Sequence, residues 1–180
     1  MMGPPGAGKG TQGALLARRL GIPRYSTGDI LRQALRDGTA MGLEARRNMH
    51  SGELVPDDVI LGIVGEALDS EESSRGFLLD GFPRTVAQAE GLRALLSKMG
   101  QELDAIVDLS VDDDEIMRRL STRGRKDDLQ GTIRRRLEVY RAKKKPLLDW
   151  YEDTGVRIVS VEGVGDIDEI QAHILGCLTQ

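Results

Sequence analysis

Gly3-Pro4-Pro5-Gly6-Ala7-Gly8-Lys9-Gly10-Thr11 decides the fold. The stretch is a glycine-rich turn ending in a lysine, and it runs directly into an apolar helical pattern that begins at Gln12. A concavity lined by consecutive backbone N–H groups needs residues poor in side chain, which Gly3, Gly6 and Gly8 supply, while Lys9 adds a mobile positive charge. The helix that follows aims its N-terminus at the same point, so the segment reads as an anion cradle for phosphate. Against the pattern G-x-x-x-x-G-K-[ST], Gly10 takes the hydroxyl position and Thr11 comes one residue later. The competing reading of the isolated stretch is a glycine-rich helix cap.

Working outward, 180 residues provide one well-buried core rather than two full domains. The 25 basic and 29 acidic residues leave a formal charge of −4, which argues against a polyanion such as nucleic acid and leaves room for a small anionic metabolite. Cys177 is the single cysteine; it excludes an internal disulfide and reads as a buried thiol near a helix end. No run approaches the ~20 apolar residues of a membrane span, and the start lacks a basic, then apolar, leader, so a cytoplasmic protein is expected.

Apolar spacing predicts helices over Gln12 to Leu20, Asp29 to Arg36, Ala40 to His50 and Asp57 to Leu68, with Ile22 to Ser26 extended. Strands are expected at Phe77 to Leu79, Ala105 to Val111 and Arg157 to Val161, separated by helices at Val86 to Met99 and Asp113 to Thr122. A charged helix from about Thr132 to Lys145 and a further helical piece from Leu147 to Glu152 precede the last strand; a helix from Asp168 to Leu178 follows it. Short apolar strands alternating with helices indicate an α/β fold whose parallel sheet is covered on both faces. In such folds ligands bind beyond the carboxyl ends of the strands, which selects the loops at Gly3–Thr11, Ser26–Asp29, Asp80–Thr85 and the segment from Arg119 to Arg136.

Asp80-Gly81-Phe82-Pro83-Arg84-Thr85 follows a strand at once and puts a carboxylate and a guanidinium on one turn. An Asp80–Arg84 ion pair that merely closes the turn is the plain reading. Arg119 and Arg123 lie four apart on one helix face, and Arg125, Arg134 and Arg136 bracket Asp127-Asp128. Arg135, Arg141 and Lys143 to Lys145 read as a solvated face. Phosphoryl transfer, by contrast, requires guanidinium groups around the moving phosphate.

Together, Gly3–Gln12, Ser26-Thr27-Gly28-Asp29, Asp80–Thr85 and Arg125-Lys126-Asp127-Asp128 resemble the signature segments of the adenylate kinases, in order and over almost the whole chain. The Gly10-Thr11 ending is the form that family carries. The resemblance implies a three-layer P-loop kinase fold in a single domain, with a helical acceptor lobe at about 26–55 and a short lid at about 123–129. It implies reversible transfer from ATP to AMP, giving two ADP. Donor phosphates would lie on Gly6, Ala7, Gly8, Lys9, Gly10 and Thr11, with Arg119 and the Gly163 loop near the adenine. Arg123, Arg125 and Arg136 would surround the transferred group beside Lys9 and Arg84. On the acceptor side the resemblance implies Thr27, Gly28, Arg32, Glu53, Leu54, Val55, Gly81, Arg84 and Gln88. Asp80 would organise Mg2+ through water, and Asp127-Asp128 would mark the lid hinge. The short lid lacks the zinc insertion of some relatives, and one cysteine with His50 and His173 builds no zinc site. Nucleotides are the expected partners of a monomer, with no nucleic acid and no membrane.

Two departures stand out. Only Met1-Met2 precede Gly3, so the first, central strand is expected to be missing from this chain, at a cost of roughly 1.5–3 kcal/mol for each apolar side chain left unburied. Gly163-Val164-Gly165 lacks the basic residue some relatives place against the donor base. The alternatives are a UMP/CMP-type kinase, which tends to carry Ala where Thr27 stands, and a nucleotide-binding protein with impaired catalysis.

Overall fold

The periodic stretch after the glycine-rich turn forms α1 (Lys9–Leu20), stopped by Gly21 at φ 67. The protein is described here from a computed structural model, which covers residues 1–125 and 129–179. Strand β1 (Arg24–Ser26) leads into α2 (Thr27–Asp37), whose first turn is capped by the Ser26 hydroxyl accepting from the Asp29 N–H. Then come α3 (Ala40–Ser51) and α4 (Asp57–Leu68), a 3₁₀ turn at Glu71–Arg75, and β2 (Leu78–Asp80). The remainder is α5 (Val86–Lys98), β3 (Ala105–Ser110), α6 (Asp113–Arg123), α7 (Gln130–Thr154), β4 (Arg157–Glu162) and α8 (Ile167–Leu178).

β1 pairs with β2 and β3 with β4, both in parallel. The two pairs are joined through the first residues of the chain. Met2 donates to Val107 O at 2.7 Å and accepts from Leu109 N at 3.0 Å, while Met1 O accepts from Gly81 N at 3.2 Å. The missing central strand expected from the sequence is therefore not confirmed: Met1 and Met2 lie between β2 and β3 and supply ladder partners to both.

Alternation along β3 shows how both faces are covered. Val107 and Leu109 join the core under α1 and α8, whereas Ile106 joins the core that includes Leu147 and Tyr151 of α7. Asp108 points the same way as Ile106 and is buried, with Lys144 of α7 at 2.7 Å from its carboxylate. The sheet thus lies between helical layers, with every strand's carboxyl end facing the glycine-rich turn or the loops next to it.

Helix α7 corrects the sequence reading. Two helical pieces were expected around Pro146, yet one helix of 25 residues runs through it. An interior proline forfeits a backbone hydrogen bond and costs about 3 kcal/mol; burial of Leu147 and Tyr151 immediately after it is worth roughly 1.5–3 kcal/mol per large side chain, enough to offset that loss.

α2 and α3 pack so closely that a Cβ on Gly42 would drive into the Ala34 carbonyl. Gly42→Ala is expected to destabilise the protein by about 1–3 kcal/mol through this backbone clash. A thermal midpoint equal to that of the parent protein would show that the two helices can separate freely.

Candidate functional site

Gly6 and Gly8 turn through φ 83 and 94, a region that other L residues adopt at a cost, and this curls the loop around its own N–H groups. Close approach adds a second demand for glycine: a Cβ on Gly3 would stand 2.7 Å from Leu109 O at the end of β3. Lys9 is folded back over the loop, its Nζ donating to the carbonyls of Gly3 and Pro4, each at 2.8 Å. Burial, then the nearby Arg84 charge, pull the Lys9 ammonium down to about 7; Arg123 acts in the same direction, and Asp80 and Asp108 oppose it.

Arg84 sits at the mouth of β2 among like charges, its side chain open to the cleft. Desolvation by the cleft walls and then Arg136 lower its affinity for its proton, with Arg32 contributing and Asp80 opposing. Its Nε donates to Gly81 O at 2.6 Å, and its backbone N–H donates to Gln88 Oε1 at 2.7 Å. Gln88 is itself buried, and its Nε2 donates to Asp57 Oδ1 at 2.7 Å, so the amide props the Arg84 turn. The plain Asp80–Arg84 pair suggested by the sequence is replaced by another: Asp80 Oδ2 lies 2.7 Å from Arg24 Nη2.

Among the described residues, every catalytic, nucleotide-binding and magnesium-organising residue named from the sequence borders one cleft of about 520 Å³, from the glycine-rich loop and Thr11 at one end to Thr27, Gly28, Arg32 and Glu53–Val55 at the other. Arg119 reaches it from α6 and donates to Gly163 O at 2.9 Å. A Cβ on Gly163 would come within 2.8 Å of Ala7 O, so the loop after β4 is pressed against the glycine-rich turn. Thr27 Oγ1 donates to Gly81 O at 3.4 Å, which ties the start of α2 to the Asp80 turn. Arg123, Arg125 and Arg136 line the cleft as well, whereas Asp127 and Asp128 lie outside the described residues.

Arg135, Arg141, Lys143 and Lys145 are exposed on α7 as the solvated-face reading expects, and Lys144 departs from it. Arg135 bonds Glu53 at 2.6 Å, Arg141 bonds Asp113, and Lys144 pairs with buried Asp108. Arg24 and Tyr140, which the sequence reading did not name, also line the cleft, as do Lys143 and Lys144, which it placed on a solvated face. One signal for Lys144 was available: an aspartate within an apolar strand needs a buried partner. Cys177 is half-buried, and His50 and His173 are exposed on their helices.

Among the described residues no three acidic, histidine or cysteine side chains gather as a metal cluster. Asp80 offers one buried carboxylate at a strand end beside the phosphate loop. That donor set suits a hard cation whose other ligands are water and substrate phosphate, which is how magnesium is usually held.

A polyphosphate in this loop would restore the ordinary proton affinity of Lys9. Lys9 is then mostly neutral in the free protein above about 7 and charged in the complex, so nucleotide binding is expected to take up close to one proton at pH 8 and none below pH 6. Calorimetry in buffers of different ionisation enthalpy measures this directly. Equal heats in all buffers at pH 8 would contradict it.

An α/β fold in which a phosphate loop feeds a cleft lined by arginines defines a P-loop kinase. A family model described as adenylate kinase matches residues 1–156. The chain is 48% identical over 178 residues to the adenylate kinase of Leptospira biflexa, covering 97% of this chain and 95% of that protein. The Corynebacterium glutamicum enzyme of the same name is 48% identical over 178 residues, at 99% and 97% coverage, and that of Mycolicibacterium smegmatis 44% over 180, at 100% and 98%. This chain belongs to the adenylate kinase family, whose members transfer phosphoryl groups to nucleoside monophosphates. Among the described residues no helix is long and apolar enough to cross a membrane.

Proposed function

We propose that this protein transfers the terminal phosphoryl group of ATP to AMP, reversibly, giving two ADP. The observation that carries the reading is electrostatic: Arg84 and Arg123 lie close enough to depress the proton affinity of Lys9, Arg136 does the same to Arg84, and all four border one cleft. Such crowding of cations is costly in an unliganded protein and is relieved by the charge of two polyphosphates meeting end to end.

On this reading the loop from Gly6 to Thr11 and Lys9 grip the donor, and Arg119 fixes the Gly163 loop where the donor base lies. Thr27, Arg32, Gln88 and the backbone of Glu53 to Val55 receive AMP, whose phosphate meets Arg84. Arg123, Arg125 and Arg136 neutralise the equatorial oxygens in flight. The side chains supply no nucleophile, so alignment, charge and exclusion of water do the catalysis. Mg2+ bound with ATP adds charge neutralisation near Asp80. Residues 26–55 and 123–129 are the segments proposed to close over the substrates.

An assay coupled to ADP formation, with AMP, UMP, CMP and GMP as acceptors, tests this. AMP is expected to be preferred, with Thr27 the residue that favours it over pyrimidines. Preference for UMP or CMP would support the alternative acceptor class, and nucleotide binding without turnover would leave only a binding protein.

A further inference from the structure

Arg24, on β1, holds the carboxylate proposed to organise magnesium. Its Nη2 lies 2.7 Å and its Nε 3.2 Å from the same oxygen, Asp80 Oδ2. On its other side, Nη2 is 3.3 Å from Asp29 Oδ2, and Asp29 Oδ1 accepts from Arg32 Nη2 at 2.6 Å. The four side chains form a chain of alternating charge, from the carboxylate at the end of β2 to the arginine on the acceptor side.

The guanidinium reaches this place because α1 lets it in. A Cβ on Gly10 would stand 3.5 Å from Arg24 Nη2 and 3.9 Å from Asp80 Oδ2; a Cβ on Gly13 would stand 3.4 Å from Arg24 Nε. Two glycines, three apart and on one helix face, leave the room. Gly10 also stands where a phosphate loop of the commoner type presents a hydroxyl to the metal.

Asp80 is 6% exposed, and a carboxylate so buried needs a countercharge at all times. We propose that Arg24 is a positioning residue that supplies this charge in the free enzyme and yields Asp80 when the metal nucleotide arrives, so that Arg24 sets the magnesium requirement. This rests on the reading of Asp80 given above. Asp29 makes the exchange feasible, because a guanidinium already beside a second carboxylate can release Asp80 without becoming unpaired.

The test replaces Arg24 by Gln and by Lys and begins without nucleotide. At constant ionic strength, R24Q is expected to unfold at a lower temperature than the parent, and magnesium chloride alone is expected to restore much of the loss. Neither the parent nor the double variant R24Q/D80N gains from magnesium. R24K, which keeps a cation and so remains folded should R24Q not, is expected to respond to magnesium between the two. In turnover, the magnesium concentration giving half-maximal rate at fixed nucleotide is expected to fall about tenfold or more in R24Q, the scale of one hydrogen bond between charged groups. Absence of any magnesium effect on the unfolding of R24Q and R24K, or an effect that persists in R24Q/D80N, overturns the proposal, as does an unchanged magnesium requirement. The unfolding arm needs no turnover, so it stands apart from failure of the kinase reading.

Discussion

Arg84→Gln is expected to lower kcat/KM by roughly 10³-fold or more, because Arg84 is proposed to hold the AMP phosphate that must be aligned for attack on the transferring group. Arg84 is the side chain on which the other charges of the cleft converge: Lys9, Arg32, Arg136 and Asp80 all sense it or are sensed by it. The geometry predicts an opposite effect on the empty protein. Arg84 is open to the cleft but crowded by like charges, with Asp80 alone opposing, so its neutral replacement relieves repulsion in the empty protein and forfeits mainly the bond to Gly81 O. The variant should therefore be at least as stable as the parent while being nearly inactive. Steady-state kinetics alongside thermal unfolding checks both halves, and loss of stability together with activity would reduce Arg84 to a structural strut.

Lys9→Met carries the second large effect, a fall in kcat of about 10²–10³ from loss of one electrostatic donor to the moving phosphate. Its stability consequence follows from linkage. Folding lowers the Lys9 proton affinity from 10.5 to about 7, so below 7 the folded state carries the full cost of a partly desolvated ammonium among like charges, and that cost fades as pH rises from 7 towards 10.5. Lys9→Met removes the cost. The variant is expected to gain most in stability over the parent near pH 6 and to lose that advantage near pH 10. An advantage that did not change with pH would mean that Lys9 is fully solvated in the free enzyme.

Local signals made much of this readable in the chain. Gly3 to Thr11 announces both the loop and the start of α1, because a backbone nest has few sequence solutions. Turn chemistry bounded the helices well: Gly21 and Gly52 stop α1 and α3, and Thr85 caps α5 through its hydroxyl. What stayed hidden depends on contacts between distant residues. Nothing near Arg24 in the sequence tells that it meets Asp80, 56 residues away. Arg135 looked like any member of a basic run, and only the approach of α3 to α7 gives it Glu53, 82 residues earlier. Pro146 misled for a related reason, since its local cost is outweighed by tertiary burial of Leu147 and Tyr151. The two residues before Gly3 were too few to register as sheet, yet their backbone groups satisfy both flanking strands.

On the proposed function, one cleft takes two nucleotides with their phosphates touching. Binding of a bisubstrate compound, two adenosines joined by a chain of phosphates, tests it most directly. A single site per chain is expected, with affinity well above that for ATP or AMP alone and displacement by either nucleotide. Affinity no better than that for ATP, with AMP unable to compete, would contradict it.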